Sequence, residues 1–332
     1  MQNKFLLLGV LFFSIIICSC SQKERLYRIT IRHGQQCGFI NYEGEMVVPA
    51  EYSYVYDFTE NWACVEKNNQ SIYIDKNNKV VLVPEVKNAT PFSEGLAVAS
   101  ERLKYGFINK KGKIIIPLEY DSARAFKDGV AWVNKDEKWF CISKRNEILF
   151  SDSYKEVYDF NRNYAVIITQ QEEKKLINKK NEIINLPGGY EIYQNNVENN
   201  YDILLADNES IFIYNLKTKE LKEKQNRFQV FYDEVKQKFG LQENTGKILI
   251  EPLYDYISEP DDKGFVLCGL GDDWNDMKFG YISIHGEVLI PIEFYQLDFF
   301  EDDMAAFQPR SIDGGYIRRD GKIFFARDYL DS

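Results

Sequence analysis

Histidine is nearly missing from this chain: two in 332 residues, His33 and His285, each isolated and neither at metal-ligand spacing from a cysteine. No metal site is expected on that ligand set. Cysteine is sparse as well, and beyond residue 20 only Cys37, Cys64, Cys141 and Cys268 remain, no two of them close in sequence. In an exported protein an even count permits disulfides, but four cysteines allow three pairings and the spacing selects none. Cys64 and Cys141 fall where other copies of an internal repeat carry Val98 and Phe107, so the plainer expectation is that they serve as small buried hydrophobes. A strained G-x-S-x-G turn, a phosphate-cradling loop and a dinucleotide fingerprint are all absent, which removes the usual signatures of nucleophilic and nucleotide chemistry. No cofactor is expected.

Basic residues are in deficit, 41 Lys and Arg against 51 Asp and Glu, for a formal charge of −10. A nucleic-acid partner needs a basic surface and is excluded on this balance. Peripheral attachment to anionic lipid is disfavoured for the same reason.

Long apolar runs are also lacking, with one exception at the start, from Phe5 to Ile17 behind the single basic Lys4. It falls short of the roughly 20 residues that span a bilayer. Residues 1–19 are therefore expected to be a secretory signal peptide. Their end, Ile17-Cys18-Ser19-Cys20, resembles the lipobox of bacterial lipoproteins, which implies cleavage before Cys20 and acylation of its thiol. Several acyl chains, at about 0.8 kcal/mol per buried methylene, anchor a protein stably. Residues 20–25 then form a tether, and Ser21-Gln22-Lys23-Glu24 resembles the charged tags of surface-exported lipoproteins; a plain polar spacer accounts for it equally well. The expected location is the outer membrane, lipid-anchored, with exposure at the cell surface as one option.

What the chain has in abundance is aromatic residues, 22 Tyr and 23 Phe, together with internal repetition. The stretch 105–133, YGFINKKGKIIIPLEYDSARAFKDGVAWV, matches the chain again after shifts of 34 residues. Four landmarks hold that period: Ile40, Ile74, Ile108 and Ile142; the corner Gly44, Asn78, Gly112 and Asn146; Phe58, Phe92, Phe126 and Phe160; and Ala63, Ala97, Ala131 and Ala165. Gly and Asn tolerate positive φ, so the corner predicts a β-hairpin loop with strands on both sides. Each unit reads as strand a (GFIN), a hairpin loop, strand b (KIIIP), an irregular link and strand c (GVAWV). Pro49, Pro84, Pro117 and Pro291 are expected to end strand b.

Further corners stand at Asn181, Gly246, Gly286 and Gly321, with a degraded copy around 210–232 and an insertion at 187–200. A lone strand c opens the array near Ile29 and an a-b hairpin, 315–325, closes it, so the two ends could complete one shared unit. The expected fold is all-β, a tandem repeat array of eight to nine three-stranded units of about 34 residues, either a propeller-like ring or an open β-solenoid. Residues 26–332 form this one domain, since a single unit cannot bury its apolar face alone.

These landmarks resemble the WG repeat of bacterial proteins, W-G-[YF]-I-D-x-x-G-K-x-V-I-P-x-x-Y-D followed by F-x-x-G-x-A-x-V. The likeness is strongest at 105–133 and weak from 139 to 232, and Cys37, Tyr105, Phe239 and Phe279 stand where the name-giving tryptophan would be. It implies a β-repeat binding or scaffold module and brings no catalytic residues.

Three readings of function remain. Carboxylates at repeat-equivalent positions, Glu51, Glu119 and Glu293, suit fold or solubility better than a tuned acid/base pair, so a carbohydrate-active enzyme has least support. Tyr52, Tyr120, Tyr154, Tyr254 and Tyr295 recur after strand b, either packing between units or lining a sugar-stacking groove. The least repeat-like patch, Gly269 to Asp276, holds Asp272, Asp273, Trp274, Asn275 and Asp276. Its oxygen ligands do not follow the EF-hand order, and it is read either as a solvated loop or as a contact for a partner through Trp274. The leading expectation is a non-catalytic envelope lipoprotein that binds another envelope protein, with glycan binding as the alternative.

Overall fold

The computed structural model describes residues 25–31, 36–150, 152–194, 201–207, 210–224, 227–308 and 314–325. These form nine antiparallel sheets of three or four strands, with no α-helix among the described residues. The chain divides into two compact units, Tyr54–Gln225 and the combination of Met1–Ser53 with Asn226–Ser332. Nine small sheets of this kind make the protein a propeller-like β-repeat array.

The third sheet shows how the repeat builds one. Strand c, Leu96–Glu101, reverses through Arg102 and Leu103 into strand a, Lys104–Asn109, which reverses again into strand b, Ile114–Tyr120. A two-residue strand, Asn88–Ala89, pairs with the free side of strand c. The second turn is nucleated by Asn109, whose side-chain oxygen accepts hydrogen bonds from the Lys111 and Lys113 amides at 2.9 and 3.1 Å. Asp75, Ser143, Asn178 and Ser283 do the same in their sheets. The predicted corners all have positive φ, from 61° at Asn78 to 84° at Gly44, Gly246 and Gly286, so the left-handed assignment holds. In the degraded copy Lys219 takes the corner at φ 64°.

The sequence unit and the sheet are out of phase. A sheet consists of a strand c and the a-b hairpin that follows it, and the link expected to be irregular contains the short fourth strand, such as Tyr54–Val55 or Ser122–Ala123. This phase also settles the ends. The opening strand, Tyr27–Ile31, completes its own sheet with Gln36–Ile40 and Met46–Tyr52. The closing hairpin, Gly315–Arg318 and Ile323–Phe325, pairs with Met304–Gln308. Among the described residues the two ends share no sheet, contrary to the expectation of one mixed unit; they pack against each other instead. Phe324 is buried beside Ile29, Ile40 and Met304, and its ring lies where a side chain on Gly44 would sit. Arg25 pairs with Glu301 at 2.9 Å and with Asp302, and Arg318 with Glu43 at 3.3 Å.

The glycine of the repeat is set by close approach. A Cβ on Gly38, Gly106 or Gly280 would stand 2.4, 2.4 and 2.6 Å from the strand b carbonyl oxygens of Val48, Ile116 and Ile290. Strand b crosses there at a bulge next to Pro49, Pro117 and Pro291. These three prolines therefore sit inside strand b, tolerated because b is the edge strand of its sheet, whereas Pro84 lies beyond the end of its strand, Val80–Leu82, as expected. Beside Gly38, Gly106, Gly240 and Gly280 strand b runs for 7 residues, and beside Gly315 its described part runs for 3. Sheets with Ile72 or Phe212 at that position have a strand b of 3 residues.

Core positions follow the landmarks except at Phe58, which is half-buried. Ile40, Ile74, Ile108 and Ile142 are wholly buried, as are Phe92, Phe126 and Phe160 with Ala63, Ala97, Ala131 and Ala165. Each buried isoleucine or phenylalanine contributes roughly 1.5–3 kcal/mol of transfer free energy. Residues 187–200 are a lesser departure than the sequence suggested: Glu191–Ile192 is the short strand of the sixth sheet, with Ile192 buried, while 195–200 lie outside the described residues.

Candidate binding surface

Most side chains with evident chemistry are already engaged. An acid in the turn before strand c reaches the next sheet: Glu60 accepts from the Gly95 amide at 3.0 Å and pairs with Lys110 at 3.0 Å. One period later Glu94 accepts from Gly129 at 2.9 Å and pairs with Lys144 at 3.1 Å, and Asp128 meets Asn163 and Lys179. Burial pulls the Glu60 carboxyl up, but Lys110 and the Gly95 amide outweigh it and hold the group below its usual range. The same device closes the last pair of sheets, where Arg319 bonds Asp261 and Asp303. A second row runs through the aspartate after strand b. Asp121 pairs with Lys104 and accepts from the Asp136 amide at 2.9 Å; Asp255 pairs with Lys238 and accepts from Gly271 at 3.1 Å. Glu119, one of the recurring carboxylates, is bonded to Lys135 at 2.8 Å, which lowers its pKa.

Of the recurring tyrosines three are core, and Tyr254 is half-buried against the core of its sheet. Tyr52, Tyr120 and Tyr154 are buried, and the Tyr120 hydroxyl donates to Asn146 of the neighbouring sheet at 2.6 Å. In the eighth sheet the equivalent residue is Phe294, buried and opposite Phe279, so Tyr295 is one place out of register. The four described cysteines are free and buried, and burial pushes the thiols of Cys64, Cys141 and Cys268 up to about 12. They behave as the small hydrophobes expected.

The turn between strands c and a is the place where the template opens. Three copies are two-residue turns with both residues at positive φ: Asn68-Asn69, Arg102-Leu103 and Asp136-Glu137. In the eighth sheet the strands Phe265–Leu270 and Lys278–Ser283 are joined by a longer loop containing every residue of the sequence-predicted patch from Asp272 to Asp276. The loop is internally braced: the Asn275 amide donates to the Asp273 carboxylate at 2.9 Å, and the Asp276 amide to the Asp273 carbonyl at 3.0 Å. Met277 is buried beneath it. Trp274 is 66% exposed, and its ring stands edge-on to Tyr256 at 6.0 Å and to Phe279 at 5.8 Å. Phe279 occupies the tryptophan position of the repeat, and Tyr256 lies in the short strand that sequence patterning missed. No group of three or more His, Cys, Asp or Glu side chains suited to a metal occurs among the described residues.

Another concavity, of about 540 Å³, lies in the unit Tyr54–Gln225 and is lined by Thr59, Glu60, Pro91, Phe92 and Ala123. Its acid, Glu60, is the one committed to Lys110 and Gly95. Cys20, the expected acylation site, lies outside the described residues.

Small antiparallel sheets, repeated and packed on one another through paired charges, define the protein as a propeller-like repeat array. The model of the WG containing repeat matches residues 38–70, 73–102, 105–139, 239–267 and 279–308. These five segments carry WG repeats, and the gap between the third and the fourth covers copies whose repeat glycine has drifted. No curated protein matches the sequence. Among solved structures, the crystal structure of a eukaryotic initiation factor superposes with a TM-score of 0.55 at 9% identity, over 91% of this chain and 94% of that one. The dihydro-heme d1 dehydrogenase NirN gives 0.42 at 11% identity, over 81% and 73% of the two chains. BamB from Moraxella catarrhalis gives 0.39 at 10%, over 81% and 94%. At such identities the first likeness concerns fold alone, and a repeat array of this form is compatible with a protein-interaction module.

Proposed function

We propose that the protein is an exported lipoprotein, held to the outer membrane through Cys20, whose repeat domain binds another envelope protein as a scaffold and catalyses no reaction. The observation that carries this reading is the commitment of the recurring polar residues to contacts between sheets, which leaves the Trp274 loop as the departure from the template that faces solvent. A binding surface needs an exposed anchor on a rigid frame, and an aromatic residue braced by two others supplies one. The anchor rests on the signal-like residues 1–19 and the Ile17-Cys18-Ser19-Cys20 segment.

Retention of envelope proteins by the full chain in detergent, run beside a glycan array, tests the binding reading. Reproducible sugar binding with no protein retained would overturn it. Glycan binding stays the second reading because Trp274 and Tyr256 present aromatic surface of the kind that stacks on sugars. For the anchor, labelled palmitate should be incorporated into the wild-type chain and lost, with release from the membrane fraction, in Cys20→Ser.

A further inference from the structure

We infer that Trp274 is a receptor for a cationic side chain, arginine or lysine, on the protein partner. This inference rests on the scaffold reading above and names the chemistry of the contact.

The argument comes from how the protein treats its own tryptophans. Trp132 is buried, stacked on Phe160 at 5.6 Å, and its indole N–H donates to the Tyr158 carbonyl at 3.0 Å. Trp62 and Trp139 are half-buried, and each is capped by a cation: Lys110 lies 5.0 Å from the Trp62 ring centroid and Arg124 lies 5.3 Å from that of Trp139. Those distances are within the range at which the negative face of an indole attracts a cation. Trp274 is the fourth, the most exposed, and no cation of the described residues stands over it.

Its surroundings select the sign of what is missing. Asp272 and Asp273 precede it in the loop and neither is in an ion pair among the described residues. Tyr256 and Phe279 make T-shaped contacts with it, at 81° and 71°, which hold the indole in place while most of the residue stays open to a ligand. An anionic partner would meet the carboxylates of the same loop. A basic side chain would find both the ring quadrupole and the negative charge beside it, the combination that Lys110 finds at Trp62 and Glu60.

The test uses the full chain in detergent and a fluorescent arginine-rich peptide, with a glutamate-rich peptide of equal length as control, read by anisotropy. The arginine peptide should bind, the control should not, and Trp274→Ala should weaken binding by about fivefold or more. Trp274→Phe, which keeps an aromatic face, should lose less. Asp272→Asn with Asp273→Asn should weaken binding and flatten its dependence on salt between roughly 0.05 and 0.5 M. Equal binding by wild type and Trp274→Ala, or equal binding of the two peptides, overturns the inference. So does binding of an oligosaccharide, but not of the arginine peptide, that is lost in Trp274→Ala. An envelope protein retained equally by wild type and Trp274→Ala overturns this site while leaving the scaffold reading in place.

Discussion

At the scale of single residues, glycine does two different jobs here. Gly129 adopts φ 85°, and a methyl added to it would find nothing within 4 Å, so only backbone conformation asks for glycine there. Gly106 has the opposite demand: a methyl would stand 2.4 Å from the carbonyl oxygens of both Ile116 and Pro117. Gly129→Ala should therefore cost about 1 kcal/mol. Gly106→Ala should cost about 2 kcal/mol or more, because backbone must move. Denaturant titration measures both, and faster hydrogen exchange confined to residues 117–120 would mark the second as a displaced strand b. Buried thiols give a pH prediction. Cys64, Cys141 and Cys268 ionise near 9.0 when exposed and near 12 when folded. A raised folded value favours the neutral thiol, so the linked stability is complete below pH 9.0 and is lost as pH climbs toward about 12. Unfolding midpoints should fall across that window, less steeply in Cys64→Ala, and native thiols should resist alkylation at pH 8 until the chain unfolds.

At the scale of elements, the acid and lysine that join neighbouring sheets are a unit. Glu94→Ala removes the acceptor for the Gly129 amide as well as the carboxylate partner of Lys144, whereas Lys144→Ala removes the cation and its bond to the Glu94 carbonyl, which Glu94→Ala leaves in place. The first should cost about 1–2 kcal/mol and the second under about 1, since an exposed pair is worth little by itself. A double-mutant cycle should return a coupling of roughly 0.5 kcal/mol, and zero coupling would reduce the pair to coincidence. The row also shows what could be read beforehand. Its fourth position is Arg162, which lies 5.9 Å from the Tyr201 ring, and the sheet it faces carries buried Leu216 where others carry lysine. Period and corners were legible because four landmarks at a spacing of 34 outweigh local noise. The phase of the sheets was not, because a strand such as Ser122–Ala123 pairs through two residues and leaves no alternation to detect. For the same reason the Trp274 loop could be found as a break in the template, while Tyr256, its bracing partner from one of those short strands, could not.

At the scale of the whole molecule, the consequence of interest is that the chain's two ends stabilise one another. Within the unit formed by Met1–Ser53 and Asn226–Ser332, Phe324 packs against Ile29 and Ile40, and the ion pairs of Arg25 and Arg318 flank it. Each terminal sheet thereby covers apolar surface of the other. Phe324→Ala should cost about 3 kcal/mol, the usual penalty for emptying a phenylalanine site in a core. The location of the damage is more telling than its size. If the ends lean on each other, amide exchange should quicken not only in Ile323–Phe325 and its hairpin partner Gly315–Arg318 but also in Tyr27–Ile31 and Gln36–Ile40, nearly the whole chain away in sequence. An array whose ends did not meet would confine the change to the last sheet. Exchange measured by mass spectrometry on wild type and variant decides between the two, and unchanged protection over Tyr27–Ile31 would remove the end-to-end contact from the account of this protein's stability.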